Sequence, residues 1–366
     1  MPAREIKHAR ARIDSFNFCR KMVVRMKTFE PHPLLRNPHA QTLAATFLPR
    51  RFPRLPQGVP REFETEPGTR IRGECHWQVA PRERPTLVLV HGLEGSSESG
   101  YMLGLAERAF VAGWNAVRLN QRNCGGTESL TPTLYNSGLS GDYRAVLAEL
   151  IEKDSLPAIY FAGYSMGGNL VLKMAGELAG QVPRQLCAVA GVCATIDLAK
   201  CADAIALPGN FIYEEHFVRS LKNRMRRKAR LFPGKFDLGP LARVRTVREF
   251  DDVITAKYCG FRDATDYYAR SSALRVAAQI QVPTLIVTSQ DDPFVPFASF
   301  SDPGLASNAH IRLILPERGG HCAFISRDVG DARFWAEASV MEFFGHHESQ
   351  GASSVYTCRA NSNALD

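Results

Sequence analysis

The chain has 366 residues, of which 45% are hydrophobic and 22% are charged, and its formal net charge is +8. These proportions are typical of a globular protein in water, and no apolar run reaches the roughly 18 residues that a membrane-spanning helix requires. No segment near the N-terminus has the pattern of a secretory signal peptide. Nine cysteines without a C-x-x-C spacing favour neither a disulfide framework nor a zinc site. We therefore expect a cytoplasmic protein that needs no metal or other cofactor.

The positive charge is concentrated in two places. Residues 1–27 form a basic extension that we expect to be disordered, and a second run consists of Lys222, Arg224, Arg226, Arg227, Lys228 and Arg230. Such runs attract anionic lipid head groups or nucleic acid, but they also occur on solvated helix faces, which we favour here. Weak association with an anionic membrane surface stays open. Without an aromatic-interleaved basic motif, we expect no nucleic-acid partner.

From Phe29 the chain is rich in proline and must wrap the surface, because proline interrupts helices and inner strands. Residues 37–42 read as a capped turn into a short helix at 40–47, and two antiparallel strands follow at 61–66 and 69–79. Strands and helices then alternate, with strands at 86–90, 116–120 and 186–194 and helices at 101–112 and 138–153. This alternation predicts an α/β fold with a mostly parallel central sheet flanked by helices.

The stretch 158–175 contains the sequence Gly163-Tyr-Ser-Met-Gly167 between an apolar run and a helical pattern. This G-x-S-x-G pattern is typical of a nucleophile elbow, in which a serine lies on a sharp strand-to-helix turn. The two glycines are needed where a side chain would strike the neighbouring strand or helix. The pattern alone also arises by chance. The strand before it and the helix after it make Ser165 a candidate nucleophile.

A serine nucleophile needs a base that takes its proton and a carboxylate that orients the base. In folds with this elbow, the acid and the histidine follow later strands in that order. The predicted strand 284–288 leads into Asp291 and Asp292, and the strand 311–315 leads into His321. We favour Asp292 because it precedes a proline in the usual hydrolase turn, and Asp291 remains the alternative.

The tetrahedral intermediate of such a reaction needs two N–H donors. One is expected from Met166, which follows the serine. The other is expected from Leu93, in the turn after the strand 86–90. In the same turn, His91 is expected to brace the loop, and Gly92 allows the backbone to approach closely.

The alternation breaks between residues 197 and 261, where helical patterns with basic faces occur without a strand. One of them, 213–231, repeats the apolar residues Phe217, Leu221 and Met225 every four positions. An all-helical insertion between two strands of the sheet indicates a cap over the active face. The other expected boundaries are 28–344 for the folded domain, 331–344 for its last helix and 345–366 for a disordered tail.

Taken together, these motifs resemble the α/β-hydrolase superfamily and specifically its YheT-like branch, also called the AB hydrolase 4 family. The resemblance extends from about residue 29 to residue 344. The segments that carry it are NPHAQT (37–42), HGLEGSS (91–97), GYSMGGN (163–169), REFDD (248–252), YY (267–268), DDPF (291–294) and GGH (319–321).

By that resemblance, Ser165, Asp292 and His321 would form the catalytic triad of an esterase or lipase-like enzyme with a small-molecule acyl ester as substrate. Relatives act on carboxylic esters, including lipid acyl esters, and some fungal relatives make or cleave medium-chain ethyl esters. The loop after the strand 116–120 has Asn123 where the family more often has glycine. The residues expected to contact the substrate are His91, Gly92, Arg122, Tyr164 and Asn169.

The leading interpretation is hydrolysis of short- to medium-chain or lipid-like acyl esters through an acyl-enzyme, with water as the second acceptor. An acyltransferase that uses an alcohol, or a thioesterase, would employ the same serine chemistry. A purely binding role is disfavoured because all three triad residues occur in order. Serine at the elbow also disfavours the dehalogenase and epoxide-hydrolase chemistry that resembles cases with aspartate there.

Overall fold

A computed structural model describes residues 27–362 of the chain, and the side chains up to residue 348. Apart from Lys27, the basic extension expected at 1–27 lies outside the described residues. Within this range no helix has both the length and the apolar character needed to cross a membrane.

The centre of the domain is an eight-stranded sheet. Its strands are β1 (Val59–Glu66), β2 (Thr69–His76), β3 (Thr86–Val90), β4 (Asn115–Asn120), β5 (Ile159–Tyr164), β6 (Leu186–Val192), β7 (Thr284–Val287) and β8 (Ile311–Ile314). The spatial order is β1-β2-β4-β3-β5-β6-β7-β8. β2 pairs antiparallel with β1 and β4, whereas the strands from β4 to β8 pair in parallel. The predicted mostly parallel sheet is confirmed.

The described residues form eleven α-helices. They are α1 (Pro38–Phe47), α2 (Gly100–Val111), α3 (Ser140–Glu152), α4 (Met166–Leu178), α5 (Leu198–Ile205), α6 (Phe211–Leu231), α7 (Val247–Phe250), α8 (Lys257–Cys259), α9 (Ala264–Ser271), α10 (Pro303–Ala306) and α11 (Trp335–Ser362). The helices α5 to α9, between β6 and β7, form the segment that we call the cap. α9 extends the cap beyond residue 261, the boundary expected from the sequence.

The strand β3 shows how the two layers are built. All five of its residues are buried, and successive side chains point to opposite faces of the sheet. Leu87 and Leu89 pack in the cluster that contains residues of α2 and α11. Val88 and Val90 pack in the cluster that contains residues of α3 and α4. The continuous apolar run in the sequence is therefore explained by coverage on both faces.

Several element ends differ from the sequence-based expectations, most of them by one or two residues. β2 stops at His76 rather than at 79, because the backbone N–H of Gln78 turns away to the Asn115 side chain (2.9 Å). The last helix begins at Trp335 rather than at 331, and its helical backbone continues beyond the expected end at 344 to Ser362. No proline interrupts the residues after 344, so the helix continues although its apolar periodicity has ended.

The contact of α4 with β3 and β5 requires glycine at two positions. A Cβ added at Gly163 would overlap the backbone of Gly167, and a Cβ added at Gly167 would overlap the carbonyl oxygens of Val90 and His91. Neither the strand nor the helix can move away without opening the core. The glycines of the motif are therefore packing requirements.

We predict that Gly167→Ala destabilises the protein by about 1–3 kcal/mol, the usual range for overpacking a core. The matched control is Gly141→Ala in α3, where an added Cβ meets nothing within 4 Å. That substitution should stabilise by about 0.4–1 kcal/mol, because alanine restricts the unfolded chain. Urea unfolding followed by circular dichroism measures both variants, and a Gly167→Ala protein as stable as the control would contradict the packing argument.

Candidate active site

Ser165 lies between the last residue of β5 and the first residue of α4, where its backbone has φ 54° and ψ −119°. A positive φ is strained for a residue other than glycine, and such strain is common at functional sites. The N–H of Ser165 donates to the Val192 carbonyl (2.8 Å), and its carbonyl accepts from the N–H of Asn169 (3.1 Å). Backbone hydrogen bonds on both sides therefore hold the strained turn in place.

The loop after β3 passes directly beside this serine. A Cβ added at Gly92 would lie 3.0 Å from the Cβ of Ser165, so a larger residue would crowd the serine. The His91 ring is fully buried, with Nδ1 2.7 Å from the Gly92 carbonyl and Nε2 accepting from the N–H of Gln121 (3.1 Å). Burial lowers the pKa of His91 to about 4. A neutral His91 thus braces the loop.

Leu93 and Met166, the two expected N–H donors, line the same cavity as Ser165. Met166 is the first residue of α4, so its N–H has no partner within the helix. Among the described residues, neither N–H donates a hydrogen bond to another group of the protein. Both positions are compatible with binding an oxyanion.

His321 and Asp292 are brought together from the ends of two neighbouring strands. His321 Nδ1 lies 2.9 Å from Asp292 Oδ2 and 3.1 Å from Oδ1. The Asp292 side chain is fully buried, and its Oδ1 also accepts from the N–H groups of Phe294 (2.8 Å) and Val295 (3.1 Å). The carboxylate is fixed by the backbone and in turn orients the imidazole.

The charge of Asp292 favours the protonated form of the His321 imidazole. Burial by itself lowers the pKa of the imidazole, but the Asp292 carboxylate outweighs burial, and the net effect raises the pKa of His321 above its ordinary value of 6.5. Asp291 plays a different part, because its Oδ1 accepts from the N–H of Gly320 (3.0 Å). The structure therefore places Asp292, and not Asp291, against the histidine.

The motif at 37–42, which was interpreted from the sequence as a capped turn, also supports the histidine loop. The Asn37 side chain caps α1 as expected, accepting from the N–H of His39 (2.9 Å). In addition, the Thr42 hydroxyl accepts from the N–H of His321 (2.9 Å). The Gln41 amide exchanges two hydrogen bonds, both 3.0 Å, with the backbone of Ile325. The N-terminal segment thus holds the loop that carries His321.

Ser165 and His321 line one cavity, which has an empty volume of about 760 Å³. Its walls are mostly apolar, and much of the apolar surface comes from cap residues such as Leu198, Ala202, Ile205, Phe217, Leu221 and Phe250. The Phe294 ring contacts the His321 ring edge-on, at a centroid distance of 4.7 Å. The spacing of Phe217 and Leu221 in the sequence indicated an apolar helix face, but it could not show that this face lines the cavity.

The five residues that the sequence suggested as substrate contacts do not line this cavity. They are His91, Gly92, Arg122, Tyr164 and Asn169. Arg122 is buried, and its Nε donates to Asp142 (2.7 Å). The Tyr164 ring stacks on Tyr101 at a centroid distance of 4.4 Å. The Asn169 amide donates to two backbone carbonyls and accepts from one backbone N–H. The polar side-chain groups of Arg122 and Asn169 are used within the fold, and Tyr164 packs against another ring, so we assign these residues structural roles.

Three residues of the second basic run anchor the cap. Arg224 donates through Nε to Glu94 (2.9 Å), and both side chains are 7% exposed. Glu94 also accepts from the Tyr135 hydroxyl, and it directly follows Leu93. Lys228 is buried and binds the carbonyl of Glu128 (2.7 Å). Arg227 pairs with the Glu128 carboxylate (2.8 Å). Three of the six basic residues therefore attach α6 to the loops of the domain beneath it.

Asn123, the departure from the family pattern, belongs to this anchor. Its backbone has φ 65°, a conformation that asparagine tolerates better than most residues other than glycine. Its side-chain oxygen accepts from Lys228 Nζ (2.5 Å), and its carbonyl accepts from Arg224. Asparagine at position 123 thus adopts a left-handed backbone conformation and adds a contact with the cap.

We predict that Arg224→Met destabilises the protein by about 3–5 kcal/mol, because it leaves the Glu94 carboxylate buried without its partner. Arg219→Met on the same helix is the control, since the Arg219 side chain is 71% exposed and should change stability by no more than about 0.5 kcal/mol. Adding Glu94→Gln to Arg224→Met should recover part of the loss. Urea unfolding measures the series, and equal midpoints for the two single variants would contradict the anchoring role.

Comparison with known proteins agrees with this geometry. A sequence profile described as the alpha/beta hydrolase family matches residues 87–331. The chain is 31% identical to YheT of Escherichia coli (strain K12), whose name describes an esterase, over 86% of this chain and 92% of that protein. It is 27% identical to medium-chain fatty acid ethyl ester synthase/esterase 2 of Saccharomyces cerevisiae, over 79% of this chain and 68% of that protein.

Among solved structures, the Pyrococcus furiosus esterase Pf2001 superposes with a TM-score of 0.54 at 15% sequence identity, covering 87% of this chain and 98% of that one. At 15% sequence identity, this superposition shows that the two proteins share a fold and no more. Together with the elbow, the sheet order and the profile match, it establishes that this chain belongs to the alpha/beta hydrolase family.

Proposed function

We propose that this protein is a serine esterase that cleaves carboxylic acyl esters, with Ser165 as nucleophile, His321 as base and Asp292 as the acid that orients the base. The observation that carries the proposal is the buried Asp292–His321 hydrogen bond (2.9 Å) beside a cavity that Ser165 also lines. The relatives named above are described as an esterase and as an ester synthase/esterase, which supports ester chemistry.

In the proposed mechanism, His321 removes the proton from the Ser165 hydroxyl as the oxygen attacks the ester carbonyl. The negative charge on the carbonyl oxygen is stabilised by the N–H groups of Leu93 and Met166. His321 then donates its proton to the leaving alcohol, and an acyl-enzyme forms on Ser165. Water, activated by the same histidine, attacks the acyl-enzyme and releases the acid.

The mostly apolar lining of the cavity favours an apolar acyl group, and we propose one of short to medium length. A second candidate is acyl transfer to an alcohol, favoured by the yeast relative, whose name joins synthase and esterase. Adding ethanol during turnover separates the two: an esterase gives mainly free acid, whereas a transferase gives mainly ethyl ester.

We predict that Ser165→Ala lowers kcat by about 10⁶-fold, as expected when a triad nucleophile is removed, and that it abolishes labelling by a fluorophosphonate. Asp292→Asn should lower kcat on the order of 10⁴-fold. Asp291→Asn is the matched control and should lower kcat far less, because Asp291 holds only the loop before His321. Kinetics with p-nitrophenyl esters of increasing chain length measure all three. Near-normal turnover by Ser165→Ala would defeat the proposal.

The pH dependence follows from the raised pKa of His321. The base must be neutral, so kcat/KM should fall at acidic pH with a midpoint above 6.5, since the Asp292 carboxylate favours the protonated imidazole. Asp292→Asn removes this effect and should move the midpoint to lower pH. Asp251 also lines the cavity, and burial raises its pKa to about 6, so Asp251→Asn is the control that should leave the midpoint unchanged. An Asp292→Asn midpoint equal to wild type would contradict the assignment.

A further inference from the structure

Two sequence motifs, REFDD at 248–252 and YY at 267–268, have no part in the proposed triad chemistry. The structure brings them together in the cap wall of the cavity. Asp251 Oδ2 accepts from the Tyr268 hydroxyl (2.7 Å), and Oδ1 accepts from the Thr255 hydroxyl (2.6 Å). All three residues line the cavity that Ser165 lines. A carboxyl group is therefore held on a surface that is otherwise mostly apolar.

The local backbone explains how these side chains meet. Residues Asp251–Ala256 form a π-helical turn between α7 and α8, an irregularity that is frequent at functional sites. Thr255 follows Asp251 by four positions and lies on the same side of the turn. Tyr268 comes from α9, and its side chain is buried at 3% exposure. The carboxyl group is thus fixed by two separate elements of the cap.

The carboxyl oxygens of Asp251 accept fewer hydrogen bonds from the protein than they could. A carboxylate can accept about four hydrogen bonds, and two are supplied by the hydroxyl groups. Arg248, the basic residue of the REFDD motif, forms its ion pair with Asp203 (Nη2 to Oδ1, 2.5 Å) and not with Asp251. Its guanidinium carbon lies 5.0 Å from the centroid of the Tyr268 ring. Among residues 27–348, Asp251 forms no ion pair within 4.0 Å, and the residue as a whole is half-buried.

Burying a carboxyl group in an apolar cavity is costly, and a further donor on the unused acceptor positions would offset more of that cost. An acyl chain would pack better against leucine at this position. We propose that Asp251, held by Thr255 and Tyr268, is a binding site for a free hydroxyl group of the substrate, so that the preferred ester carries a hydroxyl in addition to its acyl chain. This inference rests on the proposed function and names the substrate class of the same cavity.

The hydroxyl could belong to the alcohol or to the acyl part, and three esters distinguish these sources. Ethyl octanoate has no free hydroxyl, 2-hydroxyethyl octanoate carries one on the alcohol, and ethyl 8-hydroxyoctanoate carries one on the acyl chain. Wild type should cleave at least one hydroxylated ester with a kcat/KM about tenfold above that of ethyl octanoate, the magnitude of one hydrogen bond to a charged group. The preferred ester identifies the source.

Asp251→Leu should abolish this preference and leave cleavage of ethyl octanoate within about threefold of wild type. Asp251→Asn keeps the size of the side chain and one acceptor oxygen. If the leucine variant does not fold, the asparagine variant tests the role of the carboxyl group instead. Its preference for the hydroxylated ester over ethyl octanoate should fall severalfold. Asp252→Asn is the matched control, because the Asp252 side chain is exposed and accepts from the N–H of Ala264 (3.1 Å). It should keep the wild-type preference.

Two outcomes would overturn the inference. One is a wild-type enzyme that cleaves ethyl octanoate but shows no preference for either hydroxylated ester. The other is an Asp251→Asn variant in which all three rates fall by the same factor, which is what a purely structural carboxyl group would give. If wild type cleaves none of the three esters and is not labelled by a fluorophosphonate, the proposed function fails instead.

Discussion

The close approach of α4 to β3 and β5 is the constraint on which the rest of the site depends. Because no side chain fits at Gly163 or Gly167, the turn between them is tight, and Ser165 is held at a positive φ of 54°. The same proximity brings Gly92 against the serine. Leu93, the next residue, therefore lies where an N–H donor is needed. One packing contact thus places the proposed nucleophile, Ser165, and both proposed oxyanion donors.

The two loops that carry the remaining chemistry are fixed from outside the sheet. Thr42 in the proline-rich N-terminal segment holds the backbone of His321. Arg224 in the cap binds Glu94, which directly follows Leu93. Loops by themselves open at low free energy, whereas catalysis requires reacting groups placed to within about 1 Å. The need to hold these loops explains why polar side chains such as Thr42 and Arg224 are present although they would not contact the ester carbonyl of a substrate.

The sequence was sufficient for the sheet, the elbow and the order of acid and histidine, because each depends on a local pattern or on the topology of a parallel sheet. The sequence was insufficient where polar side chains form hydrogen bonds with other groups of the protein in the interior. Arg122 and Asn169 look like binding residues, yet their polar groups satisfy buried partners. Arg224 and Lys228 look like a solvated basic face, yet both are buried. Whether a polar side chain bonds to the protein or to a ligand depends on its distance from residues far away in the sequence. A local stretch of sequence does not reveal these distances.

The two carboxyl groups beside the cavity show the same distinction. Asp292 has its oxygens occupied by His321 and two backbone N–H groups, so it can orient the base but has little capacity for a substrate. Asp251 is held by two hydroxyl groups, and burial raises its pKa to about 6. Near neutral pH it can be present as carboxylate or acid, and either form can bind a hydroxyl group. These different partners are the reason why we propose orientation of the base for Asp292 and recognition of the substrate for Asp251.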